Sequence, residues 1–450
     1  YFLALTILIG ILIHIPGLSY HGLLFQGDHG RELYAARMVL QGDIPYRDFW
    51  WMYGPLMPYY YALCFKVLGI SIHSVLIGEA FLKLLSGIFI FRALQVFIPA
   101  LWALMGAVWF WLFYPYFFYT YNHTGAIMLF MAVMYCLFQY IVRPRAMYLY
   151  PALCCIGICA FIKVNFGFSL LASFLAAVCL ADKRRDVPTT AGKYFYLTAL
   201  VALPGLILLI YVLLTKDLPL YALRQCFPYF GSDHQYGTSI GSAMGILFNT
   251  YAQLKTVGGV FVATNSPGAV TLSVANVILT GISVASILAT GLLMKVSKKK
   301  GKEGQNILFL LGILLLFYTT SLHEFLFTGI RYRLNWGTPF LGLITFLSLG
   351  TALRYAPRAL RYGVALVLAG IFVTHHMVTL TAYRMTLHAG KFVPLSNAGV
   401  YVNNSTQWIH TVRSVTDYLN ETLPADQTFF ALPYDPLFYF LTDNPAPRGS

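Results

Sequence analysis

Long apolar runs separated by short polar loops occupy most of this 450-residue chain. Apolar runs of about 18 residues or more are typical of helices that cross a membrane. We count about eleven such runs, so the pattern predicts an all-α polytopic membrane protein. The predicted spans are roughly residues 1–19, 73–98, 100–119, 124–142, 147–162, 165–181, 194–214, 271–294, 306–321, 334–353 and 362–380.

The pattern changes after the last predicted span. Residues 407–419 have the apolar spacing of an amphipathic helix, and residues 427–432 have that of a strand. We therefore divide the chain into a transmembrane domain over 1–380 and the start of a small C-terminal α/β domain over 381–450. We expect the chain to be a fragment in which this second domain is truncated.

Composition and charge agree with a membrane protein. Hydrophobic residues make up 58% of the chain, whereas roughly 45–50% is usual for soluble proteins. The net charge is +14, but the basic residues lie in short loops that fall on one face when the spans alternate. This distribution follows the positive-inside rule, so it marks the cytoplasmic face and gives no reason to expect a nucleic-acid partner. The loops hold Arg143 and Arg145, Lys183–Arg185, Lys295–Lys302 and Arg354–Arg361.

The opposite, extracytoplasmic face collects the longer polar segments, mainly 20–72, 215–270 and the C-terminal region. Within the first of these, residues 55–70 are apolar enough to cross the membrane. Their two prolines and three consecutive tyrosines favour an interfacial or re-entrant helix over a crossing, since tyrosine is enriched at membrane interfaces. A crossing there would place the preceding loop in the cytoplasm instead.

Ionisable residues are concentrated just after the first span, although only 10% of the chain is charged. Asp28 precedes a predicted helix over Arg31 to Gln41 that ends at Gly42. Its carboxylate suits two compatible roles, as the N-cap of this helix and as a general base for an acceptor hydroxyl. Arg31 lies one turn later, and its fork of donors suits a phosphate.

A second cluster follows at residues 43–48. Asp43 and Asp48 either pair with Arg47 and fix the loop, or contact a substrate. The aromatic residues after this cluster either stack on a sugar or anchor the loop at the membrane interface. These residues are Trp50, Trp51 and Tyr53.

Further cations stand on or near the extracytoplasmic face. Arg37 and Lys163 fit either phosphate binding or snorkelling toward lipid headgroups. Arg331 and Arg333 begin a span on the face where the positive-inside rule leaves few cations, and an anionic lipid phosphate would explain them. Arg224, in the long loop, is a further candidate of the same kind. No cofactor is expected, and a requirement for a divalent metal stays open.

In this order, the residues resemble the GT-C superfamily of membrane glycosyltransferases. The resemblance is to the protein O-mannosyltransferase and lipid A aminoarabinose transferase group, that is, family 39-like enzymes. In that group an extracytoplasmic loop opens with Asp-Glu and continues with Arg or Tyr, a helix ending in Gly-Asp, and a Pro-Leu-aromatic interfacial helix. The matching positions here are Asp28-His29, Arg31 and Tyr34, Gly42-Asp43, Gly54-Pro55-Leu56, and Lys163 after the fifth span.

The resemblance implies an inverting glycosyltransferase with Asp28 as general base. It implies a sugar on a polyprenyl phosphate as donor, and a glycan, lipid or protein hydroxyl as acceptor. We expect it in a bacterial cytoplasmic (inner) membrane, with its site facing the periplasm or the cell exterior and no nucleic-acid partner. The assigned substrate-binding residues are Arg31, Tyr34, Asp43, Asp48, Trp50 and Tyr53.

Two departures from the family pattern affect the site. His29 replaces the second acid, and Tyr53-Gly54-Pro55 replaces a Lys-Pro-Pro motif whose lysine binds phosphate. Other cations would then have to bind the lipid phosphate. The candidates are Arg31, Lys163, Arg224, Arg331 and Arg333.

Three other functions stay open. A transporter or flippase of a lipid-linked or anionic substrate predicts ionisable residues deep inside the spans, whereas most here lie at span ends. An O-antigen ligase or polymerase would carry its main functional loop late in the chain, but the densest polar loop here is early. A binding or scaffold protein would be inactive with every lipid-linked sugar.

Overall fold

The computed structural model describes residues 1–19, 28–49, 51, 53–113, 122–186, 192, 195–199, 206, 210, 302–323, 336–388, 392–395, 398–401, 406–424, 426–431, 437–442 and 444–445. The predicted span 271–294 and most of 194–214 lie outside these residues. The helices are α1 (Phe2–Ser19), α2 (Asp28–Gln41), α3 (Leu56–Leu68), α4 (Ile72–Gln95), α5 (Ala100–Phe113), α6 (Asn122–Val142), α7 (Ala146–Ile162), α8 (Val164–Lys183), α9 (Lys302–Ser321), α10 (Thr338–Arg354), α11 (Arg358–His388), α12 (Thr406–Thr422) and α13 (Leu437–Thr442). Two strands, β1 (Phe392–Leu395) and β2 (Ala398–Tyr401), lie between α11 and α12.

The apolar runs form helices where the sequence predicts them. Among the described residues, four helices are long and apolar enough to cross a membrane: Ile72–Gln95, His123–Val142, Val164–Lys183 and Arg358–Thr381. Shorter apolar helices occupy the other predicted spans that the structure describes: Phe2–Pro16, Ala100–Phe113, Ala146–Ile162, Gln305–Ser321 and Thr338–Arg354. The chain is an integral membrane protein built from helices.

Small residues let the helices of the bundle approach closely. Helix α4 packs against α1, α5 and α6. A Cβ atom at Gly10 or Gly87 would overlap the Trp111 indole, which fills the space between α1, α4 and α5. The indole N–H donates to the carbonyl oxygen of Lys83 at 2.9 Å. Close backbone approach at small residues is how helices gain contact area in a membrane, where neighbouring lipid is as apolar as the helices themselves.

Basic side chains meet at one end of the bundle. The Arg184 guanidinium donates to the Gln305 carbonyl oxygen at 2.9 Å and to the Asn306 side chain at 2.8 Å. The Arg185 guanidinium donates to the carbonyl oxygens of Tyr140 and Ile141 at 3.0 and 2.6 Å. These contacts join the ends of α6 and α8 to the start of α9, as the alternation of spans predicts for the face rich in cations.

Two short helices, α2 and α3, end at glycines with left-handed backbone conformations. Gly42 follows α2 with φ +103° and Gly69 follows α3 with φ +87°, a region in which only glycine avoids a Cβ clash. The predicted end of α2 at Gly42 is therefore confirmed. Its start is one turn earlier than predicted, at Asp28 itself.

Helix α3 is too short to cross a bilayer. It has 13 residues and is thus about 20 Å long, against a hydrocarbon thickness of about 30 Å. One side of α3 packs against α2 and α4, while the other exposes Tyr59, Leu63 and Val67. An apolar outer side on a short helix fits the interfacial position predicted from the sequence.

The C-terminal region differs from the prediction in one element. The predicted amphipathic helix is present as α12, but residues 427–431 form no strand. Their backbone groups bond to side chains instead of to a neighbouring strand: the Tyr439 hydroxyl binds the Phe429 oxygen and the Ala431 N–H, and the Asn444 amide donates to the Gln427 oxygen. The described strands β1 and β2 form an antiparallel hairpin instead. The domain division at 380 stays a prediction, and α11 extends past it.

Candidate active site

Helix α2 carries three buried ionic side chains. Arg31, Glu32 and Arg37 are 7%, 2% and 7% exposed, and α2 is enclosed by α3 and α13. Buried charges are unfavourable unless they are paired or hydrogen-bonded, and they concentrate at functional sites. The charged side chains of this segment that lie on α2 therefore face the protein interior.

Helix α13 covers α2 at close range. A Cβ atom at Gly30 would overlap the backbone of Leu437. The rings of Tyr34 and Tyr439 lie 5.5 Å apart, so Tyr34, expected to bind substrate, packs against α13. Glycine at position 30 lets the C-terminal helix lie directly over the start of α2.

Arg37 does not snorkel toward the headgroups, and that interpretation is wrong. Its Nη1 donates to the Phe440 carbonyl oxygen at 3.3 Å, at the end of α13. Burial lowers the pKa of Arg37 from its ordinary value, although a guanidinium keeps its charge in proteins. Because α13 supplies an acceptor at this position, Arg37 joins the two helices.

The loop after α2 is fixed by its own polar groups. Arg47 and Asp48 form an ion pair of 2.6 Å, and the Asp48 carboxylate also accepts the Ile44 N–H at 2.8 Å. The Tyr46 hydroxyl donates to the Tyr53 carbonyl oxygen. Of the two alternatives for Asp48, the structure shows the loop-fixing pair. Asp43 lies half-buried just past the end of α2.

Trp51 is an internal anchor of this loop. It is 1% exposed, and its indole N–H donates to the Gly54 carbonyl oxygen at 3.0 Å. Its ring meets that of Tyr53 edge-on, with 6.0 Å between the centroids. The alternative of an interface anchor is therefore wrong for Trp51, because the loop folds back over it.

Gly54 joins the loop to the end of α7. Its N–H donates to the Ile162 carbonyl oxygen at 3.0 Å, and a Cβ atom at Gly54 would overlap the carbonyl oxygen of Phe161. Backbone thus packs directly on backbone, without room for a side chain. This contact sets how far the aromatic loop lies from Lys163.

Replacing Gly54 with alanine should destabilise the protein, because the added methyl group forces two backbone segments apart. We expect a loss of about 1–3 kcal/mol, read as a lower apparent melting temperature in detergent. Gly363→Ala is the control, since a Cβ atom there meets open space on α11. An equal stability for both variants would contradict the close contact at Gly54.

Lys163 is the single residue between α7 and α8. A Cβ atom at Gly167 would contact Ala160, so the two helices form a tight antiparallel hairpin with Lys163 at its tip. The side chain is buried, with 9% exposed, and the snorkelling alternative is wrong for this residue as well. The lysine instead faces the interior of the bundle end.

The Lys163 ammonium contacts a histidine at the start of α6. Its Nζ lies 2.8 Å from the His123 Nε2. Because lysine has only donors, the histidine nitrogen accepts, and the ring proton of a neutral His123 is then on Nδ1. The ring of His123 also stacks on Trp336, with centroids 3.9 Å apart and 9° between the planes.

Arg31 and Lys163 meet at one aromatic ring. The Arg31 guanidinium carbon lies 5.3 Å and the Lys163 Nζ 5.4 Å from the Tyr53 ring centroid. We name Arg31, Tyr53, His123 and Lys163 the cationic site. Cation–π contacts help to hold the two charges there. Two cations so placed repel each other, and an anion bound between them would be stabilised by both.

Several of these residues are absent from the sequence prediction. His123 and Trp336 were missed, although each stands at the beginning of a predicted span, where a polar or amphipathic side chain is a usable signal. His323 was missed as well; it follows the end of the predicted span 306–321, and its Nε2 lies 2.9 Å from the amide nitrogen of Asn165, two residues after Lys163.

An ion pair inside a span was also missed. Glu79 and Lys83 lie one turn apart on α4, with 3.9 Å between Oε2 and Nζ. Both are buried. The signal was visible as a Glu and a Lys four residues apart within an apolar run, a spacing that places both on one side of a helix.

The structure therefore brings together Arg31, Tyr53 and Lys163 among the predicted residues. Asp28 is the first residue of α2, but its side chain lies outside the described part of the chain. The remaining predicted residues Trp50, Arg224, Arg331 and Arg333 are outside it altogether. Within the described ranges, no group of three or more His, Cys, Asp or Glu residues is arranged to hold a metal ion.

No family model matches the chain, and no curated protein sequence matches it either. Solved structures do resemble it. The Archaeoglobus fulgidus oligosaccharyltransferase in complex with Zn and sulfate has a TM-score of 0.57 at 12% identity, covering 99% of this chain and 62% of that chain. The archaeal oligosaccharyltransferase AglB from the same organism, with an inhibitory peptide and a dolichol-phosphate, has a TM-score of 0.55 at 12% identity, covering 99% and 64%.

A bacterial structure is similar over more of its own length. ArnT from Cupriavidus metallidurans in the apo state has a TM-score of 0.57 at 9% identity, covering 98% of this chain and 84% of that chain. The chain spans less than two thirds of the oligosaccharyltransferases. The likeness extends along nearly the whole chain at low identity, and it is one of fold. The helical bundle described here thus has the fold of the GT-C membrane glycosyltransferases, as the sequence predicts.

Proposed function

We propose that this protein is a glycosyltransferase that moves a sugar from a polyprenyl phosphate to an acceptor hydroxyl. The observation that carries the proposal is the convergence of Arg31 and Lys163 on the Tyr53 ring. This cationic site lies one helical turn from Asp28, at the end of the bundle opposite the Arg184 and Arg185 contacts. A buried pair of cations at a bilayer surface suits the phosphate of a lipid carrier.

The proposed reaction is a single displacement with inversion at the anomeric carbon. The Asp28 carboxylate takes the proton of the acceptor hydroxyl as its oxygen bonds to the anomeric carbon. The bond between that carbon and the phosphate oxygen breaks, through a state with oxocarbenium character. The electron pair leaves with the lipid phosphate, whose charge Arg31 and Lys163 stabilise. Because phosphate is a good leaving group, no general acid is needed.

The other assignments follow from the same proposal. Tyr53 and Trp50 would contact the sugar, and Tyr34, Asp43 and Asp48 would shape the wall around it. Arg224, Arg331 and Arg333 would add cations for the phosphate from the later loops. The site would face the periplasm or the exterior of a bacterial inner membrane, because the basic loops mark the cytoplasmic end.

Solved structures with this fold support a lipid-phosphate donor. One solved oligosaccharyltransferase holds a dolichol-phosphate and an inhibitory peptide, which fits a lipid-phosphate donor and leaves the acceptor class open among glycan, lipid and protein. Another was solved in complex with Zn. The described residues do not group into a metal site, so no step of the proposed reaction is routed through a metal.

Mass spectrometry of the polyprenyl-phosphate sugars in cells with and without the protein tests this function. Expression should lower one lipid-linked sugar and release the matching polyprenyl phosphate, since the carbon–phosphate-oxygen linkage is cleaved. Purified protein in vesicles should form the same polyprenyl phosphate from this lipid-linked sugar. Identical lipid pools in both kinds of cell would refute the donor class.

A transporter or flippase is the second candidate, and one observation favours it. The buried Glu79–Lys83 pair is the kind of intramembrane ionisable pair that marks transport pathways. A flippase would move a lipid-linked sugar across the vesicle membrane without releasing polyprenyl phosphate. The same experiment therefore separates the two functions by their products.

A further inference from the structure

A buried carboxylate ties together the elements that carry the cationic site. Glu79 on α4 is 5% exposed. It accepts a hydrogen bond from the Tyr61 hydroxyl on α3 and one from the Thr124 hydroxyl on α6 at 2.6 Å. Lys83 supplies the opposite charge one turn along α4. Such a carboxylate is tolerated in a protein interior only when its oxygens are paired in this way.

The donors at Glu79 come from helices that lead directly into the cationic site. Helix α3 follows Tyr53 and Gly54 after a single residue, Pro55. Thr124 is the neighbour of His123, which contacts Lys163. The hydrogen bond from Tyr61 therefore holds α3, and with it Tyr53. The hydrogen bond from Thr124 holds the start of α6, where His123 contacts Lys163.

The contact between α3, α6 and the end of α7 leaves little room for these helices to move. Gly125 on α6 faces Met57 on α3 and Ile162 at the end of α7, and a Cβ atom there would lie 2.7 and 3.0 Å from their side chains. Ile162 also accepts the Gly54 N–H. Interiors packed this closely transmit a displacement to their neighbours instead of absorbing it.

The direction of the hydrogen bond at Tyr61 is set by its surroundings. The phenol is 1% exposed, and burial together with the nearby Glu79 carboxylate raises the pKa of Tyr61 well above its ordinary value. The hydroxyl therefore stays protonated and donates the hydrogen bond to the Glu79 carboxylate. Glu79 is then the acceptor for two hydroxyl groups, and replacing it leaves at least one of them without this partner.

We propose that Glu79 is a positioning residue, which acts through Tyr61 and Thr124 to hold Tyr53 and Lys163 at the separation that binds a lipid phosphate. The identity of this anion rests on the proposed function. Glu79 is not assigned any contact with the substrate, and its role is to keep α3 and α6 in place against α4.

The chain offers a matched control for this role. Asp182, at the opposite end of α8 from Lys163, is fully buried and accepts the Tyr140 hydroxyl at 2.7 Å. Its basic partner Arg185 lies 3.9 Å away. Glu79→Gln and Asp182→Asn thus remove the same kind of charge from the same kind of contact, but only the first should affect the cationic site.

The experiment uses the full chain in lipid nanodiscs, with undecaprenyl phosphate as the probe. Binding is measured by native mass spectrometry, and amide hydrogen exchange is followed in segments 53–58 and 122–126. Glu79→Gln should weaken binding of the probe about tenfold, which is the factor that corresponds to the loss of one hydrogen bond. It should also speed amide exchange in both segments. Asp182→Asn should change neither measurement.

Two single-link variants keep the proposal testable should Glu79→Gln fold poorly. Tyr61→Phe should speed exchange mainly in 53–58, and Thr124→Val mainly in 122–126, each with weaker probe binding. Unchanged exchange and binding in these variants, or equal effects from Asp182→Asn, would overturn the positioning role. A wild-type protein that does not bind the probe, with the exchange effects intact, would instead refute the proposed donor class alone.

Discussion

Replacing Asp28 with asparagine is expected to lower the turnover number by about 100-fold or more, since general-base catalysis typically contributes 10²–10⁴-fold. Asparagine has the same size and also stabilises the start of a helix, so α2 should form normally. Its amide cannot take a proton at neutral pH. The rate is measured as release of polyprenyl phosphate by purified protein in vesicles, with the donor that mass spectrometry of the cells identifies.

Asp417→Asn is the control for this variant. Asp417 lies on the exposed side of α12, 3.5 Å from Arg413, and surface ion pairs of this kind contribute little to stability. Its rate should equal that of the wild type. Near-normal turnover in Asp28→Asn, at equal protein levels in the membrane, would remove Asp28 from the chemical step.

Replacing Lys163 with methionine should raise the KM for the lipid-linked donor by about 10- to 100-fold. Hydrogen bonds to charged groups contribute about 1.5–3 kcal/mol, and about 1.4 kcal/mol corresponds to a factor of ten. Methionine retains an unbranched apolar stem of similar length, so the hairpin tip between α7 and α8 should still pack on Phe166. The effect is expected in donor binding, with the KM for the acceptor unchanged.

Two further variants show whether the effect depends on the positive charge and on its position at residue 163. Lys163→Arg keeps the positive charge and should recover part of the donor affinity. Lys66→Met removes an exposed lysine from α3 and should leave donor KM as in the wild type. If Lys66→Met and Lys163→Met raise KM equally, the general basic charge of this membrane face explains binding, and the cationic site does not.

The sequence alone is informative wherever structure depends on near neighbours. Apolar runs of sufficient length must become helices in a membrane, because each backbone polar group there needs an internal partner. The end of α2 at Gly42 follows from the left-handed backbone that glycine accepts. The short helix α3 forms where the sequence predicts an interfacial helix, and that position at the interface stays a prediction. The strand predicted at 427–432 is absent from the described residues 427–431, because side chains from a later segment bind this backbone.

The individual roles of charged and aromatic residues are less accessible from sequence. Arg37, Trp51 and Lys163 each admitted a surface interpretation, and each is buried. Amphipathic side chains at a membrane boundary can reach either water or protein. Which of these occurs depends on whether another segment covers the position, as α13 covers Arg37.

By itself, the sequence determined the membrane class, the positions of most described helices, the face that gathers the basic loops and the concentration of charge in residues 28–48. Only the tertiary structure decided that Arg31 and Lys163 share the Tyr53 ring, and that Glu79 links α3 to α6. The physical reason is the range of the forces involved. Hydropathy and backbone preferences act between residues close in sequence, whereas a contact between distant residues exists only after the helices have packed.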